Sequence, residues 1–252
     1  MAEESSRLAG QSPSAAPPTG RLYLVPTLLG PAPPDASLPA QVRALACSLD
    51  GFVAESAKSA RHFLKAIGYP GPLSGISIAE LNEHTPASAL PALLAPAKAG
   101  RRIGLLSEAG CPGIADPGAT LVALAHAEGV PVVPLVGPSS LLLALMASGL
   151  NGQQFCFRGY LPVERSAREA AIRALEAQSL RDGSAQLFIE APYRNNRLLQ
   201  ALLQVCRGDT RLCVAADLTL PGESIATRRV SDWRGTIPDL DRRPTVFILQ
   251  AG

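Results

Sequence analysis

This chain is short of most residue types that advertise chemistry. One tryptophan, four tyrosines and six phenylalanines in 252 residues cannot build the core. Three histidines and five cysteines (Cys47, Cys111, Cys156, Cys206, Cys213) form no CxxC pair and no zinc spacing, so no metal is expected. An odd number of scattered cysteines suits reduced thiols rather than a disulfide framework. A formal net charge of +2 is nearly neutral, whereas binding through many phosphate contacts usually brings a stronger basic bias. That counts against nucleic acid as substrate while leaving room for a local patch. No GxGxxG opens a helix, and no GxxxxGK precedes a serine or threonine, which disfavours conventional dinucleotide and P-loop sites. The longest apolar run, Leu135–Leu150, is broken by Gly137–Pro138 and is too short to span a bilayer. Residues 1–20 carry Glu3 and Glu4 and no apolar signal core, so they read as neither secretory signal nor transit peptide. Their Ser, Ala, Pro and Gly content predicts a disordered tail. A soluble, cytoplasmic protein without a membrane segment is the expectation.

What is present is aliphatic. Hydrophobic residues make up 47% and charged residues 17%, a balance that suits a well-buried α/β protein. The organising stretch is Arg102 to Leu150. Ile103–Leu106 reads as a buried strand. Ser107 to Gly118 packs three glycines and two prolines among small and acidic residues, which can extend neither helix nor strand. Thr120–Glu128 reads as a helix, Val130–Val136 as a second strand, and Gly137–Pro138 turns into another apolar helix. In an open α/β sheet, ligands sit beyond the carboxyl ends of strands, where both loops fall. Ordinary connections are also rich in Gly and Pro; two such loops at one sheet edge, one of them long, favour a site.

The pattern continues on either side. Arg21–Pro26, Gly51–Glu55 and Ile76–Leu81 read as strands, with helices over Leu38–Ser48, Ala60–Ile67 and Ala87–Lys98. Asn151–Gln154 is the expected junction. Beyond it, Phe155–Tyr160, Leu187–Glu190, Arg211–Asp217, Glu223–Ser231 and Thr245–Leu249 read as strands. Ser166 is placed to cap a helix running through Leu180, with Glu169 completing a capping box. Asn195–Val205 reads as a helix. No internal repeat is present. The fold expected is α/β in two α/β domains. The first, 21–152, holds a largely parallel sheet with flanking helices; the second, 153–252, a mixed sheet with helices; a cleft lies between them.

The loop SEAGCPGIADPG, followed by GVPVVPLVGPSSLLLALMASGL, resembles the tetrapyrrole methylase superfamily of S-adenosylmethionine-dependent methyltransferases. Within it, the ribosomal RNA small-subunit methyltransferase I branch typically reads SDAGTPLISDPG. The resemblance extends through FRGYLPVERSAREAAIRALE and LFIEAPYRNNRLLQALLQV, covering nearly everything from Arg21 onward. It implies S-adenosylmethionine held between the two domains. From the first domain it implies contacts by Pro26, Ser107, Ala109, Gly110, Cys111, Pro112, Ile114, Asp116, Pro138, Ser139 and Ser140. From the second it implies contacts by Glu190, Ala191 and Ala216. It further implies 2′-O-ribose methylation of a 16S ribosomal RNA cytidine, with ribosomal RNA or the small subunit as partner, and a homodimer.

The chain departs from that pattern in places. Leu28-Leu29-Gly30-Pro31 stands where the branch shows PIGN. Ala54-Glu55-Ser56-Ala57-Lys58 stands where it shows CEDTR. Ala215-Ala216-Asp217-Leu218-Thr219-Leu220 stands near its ARELTK. The cofactor loops match better than the segments facing substrate, so a tetrapyrrole or other small-molecule acceptor, or a cofactor-binding protein with degenerate activity, are the alternatives.

Methyl transfer from a sulfonium is mostly positioning, and only the acceptor's proton calls for a side chain. Glu55, Lys58 and Glu83 are the candidates, since they follow predicted strands at the same sheet edge; each can equally be a solvated strand-end charge. Glu190 shares that position. Asp116, just before Pro117–Gly118, is either a helix cap or an orienting group, and Glu108 has the same ambiguity. His84 is a further candidate base or a structural histidine, whereas His62 and His126 sit within helices. Arg158, Arg165 and Arg194, with Arg168, Arg173, Tyr160 and Tyr193, are candidates for an anion-binding rim or a solvated face.

Overall fold

The computed structural model describes residues 20–252; the expected tail lies outside the described residues apart from Gly20. Five short apolar segments pair as one parallel sheet: β1 (Arg21–Val25), β2 (Gly51–Ala54), β3 (Ile78–Glu80), β4 (Arg102–Leu106) and β5 (Val132–Pro134). Their order is β3-β2-β4-β1-β5. Side chains alternate along β1: Tyr23 and Val25 enter one apolar cluster, Leu22 and Leu24 the other. Helices α1 (Ala40–Ala46) and α2 (Ala57–Ala66) cover the first face. Helices α3 (Leu90–Lys98) and α4 (Gly118–Ala127) cover the second.

That division follows from the handedness of parallel crossovers. The connections β1→β2→β3 run one way along the sheet and place helices on one face. The connections β3→β4→β5 run back and place them on the other. The chain leaves neighbouring strands β1 and β4 toward opposite faces. The loops after these two strands therefore diverge and open a crevice at their carboxyl ends, the position where such sheets hold ligands.

The second sheet has the order β6-β7-β10-β8-β9, from β6 (Phe155–Tyr160), β7 (Ala185–Ile189), β8 (Arg211–Ala216), β9 (Ser224–Arg229) and β10 (Thr245–Gln250). Only β6 and β7 are parallel, so the sheet is mixed, as expected. One face packs under α6 (Arg165–Asp182), α7 (Asn195–Val205) and α8 (Val230–Trp233), with Phe188 stacked on Phe247 at 6.0 Å between ring centroids. The opposite face is covered by α5 (Ser140–Ser148), whose Ala144 and Leu145 pack on Leu187, Cys213, Ala215, Val246 and Ile248. Helix α5 precedes the expected junction at 151–154 yet packs on the second sheet. Leu29, from the loop after β1, packs into the same cluster.

Several local readings change. The cap of α6 is Glu164 rather than Ser166: its carboxylate accepts from the amides of Ser166 at 2.9 Å and Ala167 at 2.7 Å. Glu169 makes no capping box, because Arg165 and Arg173 hold it one turn away on either side. Helix α2 starts earlier than its apolar spacing suggests, since Ser56 caps it by accepting from the Ser59 amide. Val230–Trp233, which overlaps the end of the strand read over Glu223–Ser231, is a helical turn whose Trp233 indole donates to the Leu212 carbonyl at 2.8 Å.

Candidate functional site

The two glycine-rich loops meet. The Gly110 carbonyl accepts from the Thr27 amide at 2.9 Å and from the Ser107 hydroxyl at 2.8 Å, which ties the loop after β4 to the loop after β1. Gly110 has φ +77°, and a side chain there would meet the Pro138 carbonyl at 3.2 Å. Only glycine combines that conformation with so close an approach. The Cys111 thiol donates to the same Pro138 carbonyl. Gly137 lies flat against Pro26: an added Cβ would stand 2.3 Å from two of its ring atoms.

Asp116 is the strut of the long loop. Its carboxylate accepts from the Gly113 amide and, at 2.8 Å, from the Gly118 amide at the start of α4. Both sequence readings meet here, since the residue satisfies a helix-start amide and also lines the cavity described next. Burial raises its pKa and those amides pull it back. Ala115 holds φ +60°, an uncommon conformation for alanine, and the amides of Ala109, Gly110 and Ala115 have no acceptor among the described residues. Strained backbone and main-chain donors without partners collect where a ligand is held.

Facing this loop is the second sheet. Between them lies a cavity of about 330 Å³. Ser107–Cys111, Ile114–Asp116 and Ser139–Leu141 form one wall, and Phe157, Ile189, Glu190, Ala215, Thr245 and Val246 the other. Glu55 lines it as well. The volume falls within the range of small-molecule sites. Small side chains leave much of the lining to main-chain atoms.

Of the residues that the resemblance implied, Ser107, Ala109, Gly110, Cys111, Ile114, Asp116, Ser139, Ser140 and Glu190 line this cavity. Pro26, Pro112, Pro138, Ala191 and Ala216 do not. Pro26, Pro112 and Pro138 are buried behind the loops, where they stiffen them. The Ala191 amide is engaged by the Glu190 carboxylate at 2.8 Å. Ala216 is displaced by strand periodicity: Ala215 faces the cavity, so its neighbour enters the core on the other face. Thr245 and Val246 carry no signal in the sequence, because nothing in a buried apolar strand marks which residue meets a ligand. Asp217 also lines the cavity; it takes φ +53° and is held by Arg243 at 2.6 Å.

The candidate bases separate. Glu55 lines the cavity. Burial raises its pKa most, followed by the charges of Asp116, Glu108 and Glu83, while the Glu108 amide opposes the rise. Lys58 lies in an adjoining hollow. Glu83 is on the surface beside His84. His62 lines the adjoining hollow and His126 is exposed on α4. The arginines named as a candidate rim are engaged. Arg158 donates to Gln186 and Gln178, Arg165 to Glu169, and Arg168 to the Val163 carbonyl, while Arg173 forms an ion pair with Glu169. Arg194 holds the buried Glu190 carboxylate at 2.7 Å. No group of three or more metal-ligating side chains occurs among the described residues, and no helix among them is long and apolar enough to cross a membrane.

Residues 43–233 match the family described as tetrapyrrole (corrin/porphyrin) methylases. The chain is 36% identical over 146 residues to the ribosomal RNA small subunit methyltransferase I of Mesorhizobium japonicum, covering 58% of this chain and 48% of that protein. It is 31% identical over 215 residues to the protein of the same name from Escherichia coli O157:H7, covering 85% and 71%. The matched stretch thus spans about half of the first relative's length. In fold it is similar to the methyltransferase CobJ, with a TM-score of 0.61, 21% identity and coverage of 92% of this chain and 95% of that one. It is similar too to uroporphyrin-III C-methyltransferase from Thermus thermophilus, solved with S-adenosylhomocysteine, with a TM-score of 0.54, 19% identity and coverage of 92% and 97%. The chain belongs to the tetrapyrrole (corrin/porphyrin) methylase family, alongside proteins named ribosomal RNA small subunit methyltransferase I.

Proposed function

We propose that this protein is an S-adenosylmethionine-dependent methyltransferase that methylates a ribose 2′-hydroxyl, a cytidine of 16S ribosomal RNA, in the small ribosomal subunit. The observation that carries the reading is the cavity between the two sheets, walled by Ser107–Asp116 and Ser139–Ser140 on one side and by second-sheet strands on the other.

The residues present fit the methyl donor. The amides of Ala109, Gly110 and Ala115 supply donors for its polar groups. Ile114, Leu141, Ile189 and Val246 supply apolar walls for its nucleoside. Glu55, Glu108 and Asp116 make the site electronegative, which suits a cationic ligand. When bound, S-adenosylmethionine supplies a methyl group already activated by the sulfonium. What remains for the chain is to exclude water, to align the acceptor and to take its proton. Glu55 is placed to take the proton, because it lines the cavity and its raised pKa makes it a stronger base than an ordinary carboxylate. Glu190, fixed by Arg194, orders the second-domain wall.

A second copy of this chain is read as a partner, because Val136, Leu142 and Met146 are apolar and exposed on or beside α5. Sedimentation at micromolar concentration checks it, and a monomer there removes the dimer.

The test of function is titration with S-adenosylhomocysteine by calorimetry, followed by transfer of labelled methyl groups to undermethylated small subunits. Saturable binding and labelled ribose are expected. No binding at millimolar ligand ends the donor assignment; binding with transfer to porphyrinoids instead of RNA redirects the substrate.

A further inference from the structure

A second hollow, of about 560 Å³, opens beside the donor cavity, and the two share Leu29, Ser107, Glu108 and Ala109 as a common wall. Its floor is apolar, with Ala60, Phe63 and Ala66 of α2. Its rim is polar, carrying Ser56, Ser59, Lys58 and His62.

The rim belongs to a larger feature. Along α2, Lys58, Arg61, His62 and Lys65 are all exposed, at the spacing that puts residues on one side of a helix. The helix contains no acidic residue. Lys58, Arg61 and Lys65 join no ion pair among the described residues. The Glu80 carboxylate touches the helix only at its start, where it accepts from the Ala57 amide at 2.9 Å. Arg165, Arg173 and Arg194 of the second domain are instead matched by Glu169 and Glu190. Helix α2 thus carries three basic side chains without an ion-pair partner among the described residues, beside a hollow that touches the donor cavity.

We propose that the RNA acceptor strand runs along α2 with its phosphates on Lys58, Arg61 and Lys65, and that the nucleoside to be methylated sits in the hollow over Ala60, Phe63 and Ala66. This rests on the reading of the protein as an RNA methyltransferase. The apolar floor takes the base out of water, and the common wall at Glu108 and Ala109 brings its ribose to the donor cavity. Phosphate contacts set position without reading sequence, which is what a stripe of lysine and arginine provides.

Two variants test it: the triple substitution Lys58→Gln, Arg61→Gln, Lys65→Gln, and Ala66→Phe, which fills the hollow from an exposed helix position. Each is compared with the unaltered protein for S-adenosylhomocysteine affinity, melting temperature and methyl transfer to small subunits at several salt concentrations. The expected result for the triple variant is unchanged ligand affinity and a fall of tenfold or more in kcat/KM. Its salt dependence should flatten by about 2 in log–log slope, from three lost single-strand phosphate contacts. Ala66→Phe should lose transfer to a similar degree while keeping its salt slope and ligand affinity. Transfer by both variants at the unaltered rate and slope overturns the proposal while leaving the enzyme reading intact. An unaltered protein that binds the ligand but labels no RNA overturns the enzyme reading and this proposal with it.

Discussion

The sulfur of Cys111 lies 3.4 Å from the carbonyl oxygen of Pro138, so a thiol joins the two glycine-rich loops that wall the donor cavity. Burial pushes the thiol pKa up, keeping it a neutral donor. The resembled pattern has threonine at this position. Cys111→Thr, which restores a hydroxyl donor, is expected to bind S-adenosylhomocysteine within about threefold of the unaltered protein. Cys111→Val leaves the Pro138 carbonyl without this donor, a loss of about 1 kcal/mol, or roughly fivefold in affinity. Calorimetry on the pair separates the hydrogen bond from the packing.

Gly137 tests the same seam by sterics. An alanine Cβ would stand 2.3 Å from the Pro26 ring, which is rigid and buried. Gly137→Ala should cost about 1–3 kcal/mol of stability by overpacking and push the loops apart. Both a lower melting temperature and weaker ligand binding are expected; an unchanged pair of values would mean that the seam gives way freely.

Glu55 predicts a pH profile. A base works ionised, so transfer should rise with pH through a midpoint above the ordinary carboxylate value, because burial and the Asp116 and Glu108 charges raise the Glu55 pKa. Glu55→Gln should lose most of kcat with ligand affinity retained. Glu108→Gln removes one neighbouring charge and should move the acid limb to lower pH. A profile that stays put in Glu108→Gln assigns the limb to another group.

Glu190 and Arg194 predict a stability cycle. The Glu190 side chain is 2% exposed and held by Arg194. Arg194→Ala strands that carboxylate and should cost on the order of 3 kcal/mol. Adding Glu190→Gln to Arg194→Ala should recover part of the loss, since a neutral amide is easier to bury. Chemical denaturation of the four proteins measures the coupling; strictly additive losses would show that the pair is not a unit.

Glu164 predicts acid behaviour. Hydrogen bonds from the Ser166 hydroxyl and from the Ala167 and Ser166 amides lower its pKa from 4.5 to about 2. A depressed carboxylate stabilises the fold above its unfolded pKa and ceases to as pH falls through its folded value. The stability difference between the unaltered protein and Glu164→Gln should therefore be full above pH 4.5 and shrink toward pH 2. A constant difference over that window would mean that the cap works by shape rather than by charge.

The local code announced most of the elements and the principal loops. Alternating and continuous apolar runs marked β1, β4 and β7. Gly and Pro marked the loop from Ser107 to Gly118, and the string SEAGCPGIADPG carried the family, because a loop that must kink and approach a ligand leaves few residues to choose from. Local signals erred where two groups competed for one role. Ser166 and Glu164 both suit a cap, and only the folded geometry shows the carboxylate reaching two amides.

What the sequence determined by itself is the alternation of strand, loop and helix and the presence of backbone-rich turns, because hydrophobic period, glycine and proline act over a few neighbours. What only the tertiary structure decided is which residues face each other. The choice of Ala215 over Ala216 follows from a strand's pleat against a distant loop. The packing of α5 on the second sheet follows from burying a helix apolar on nearly every side. That Lys58, Arg61 and Lys65 of α2 stay without an ion pair among the described residues, while Glu169 and Glu190 take up Arg165, Arg173 and Arg194, depends on pairings whose partners are set by folding.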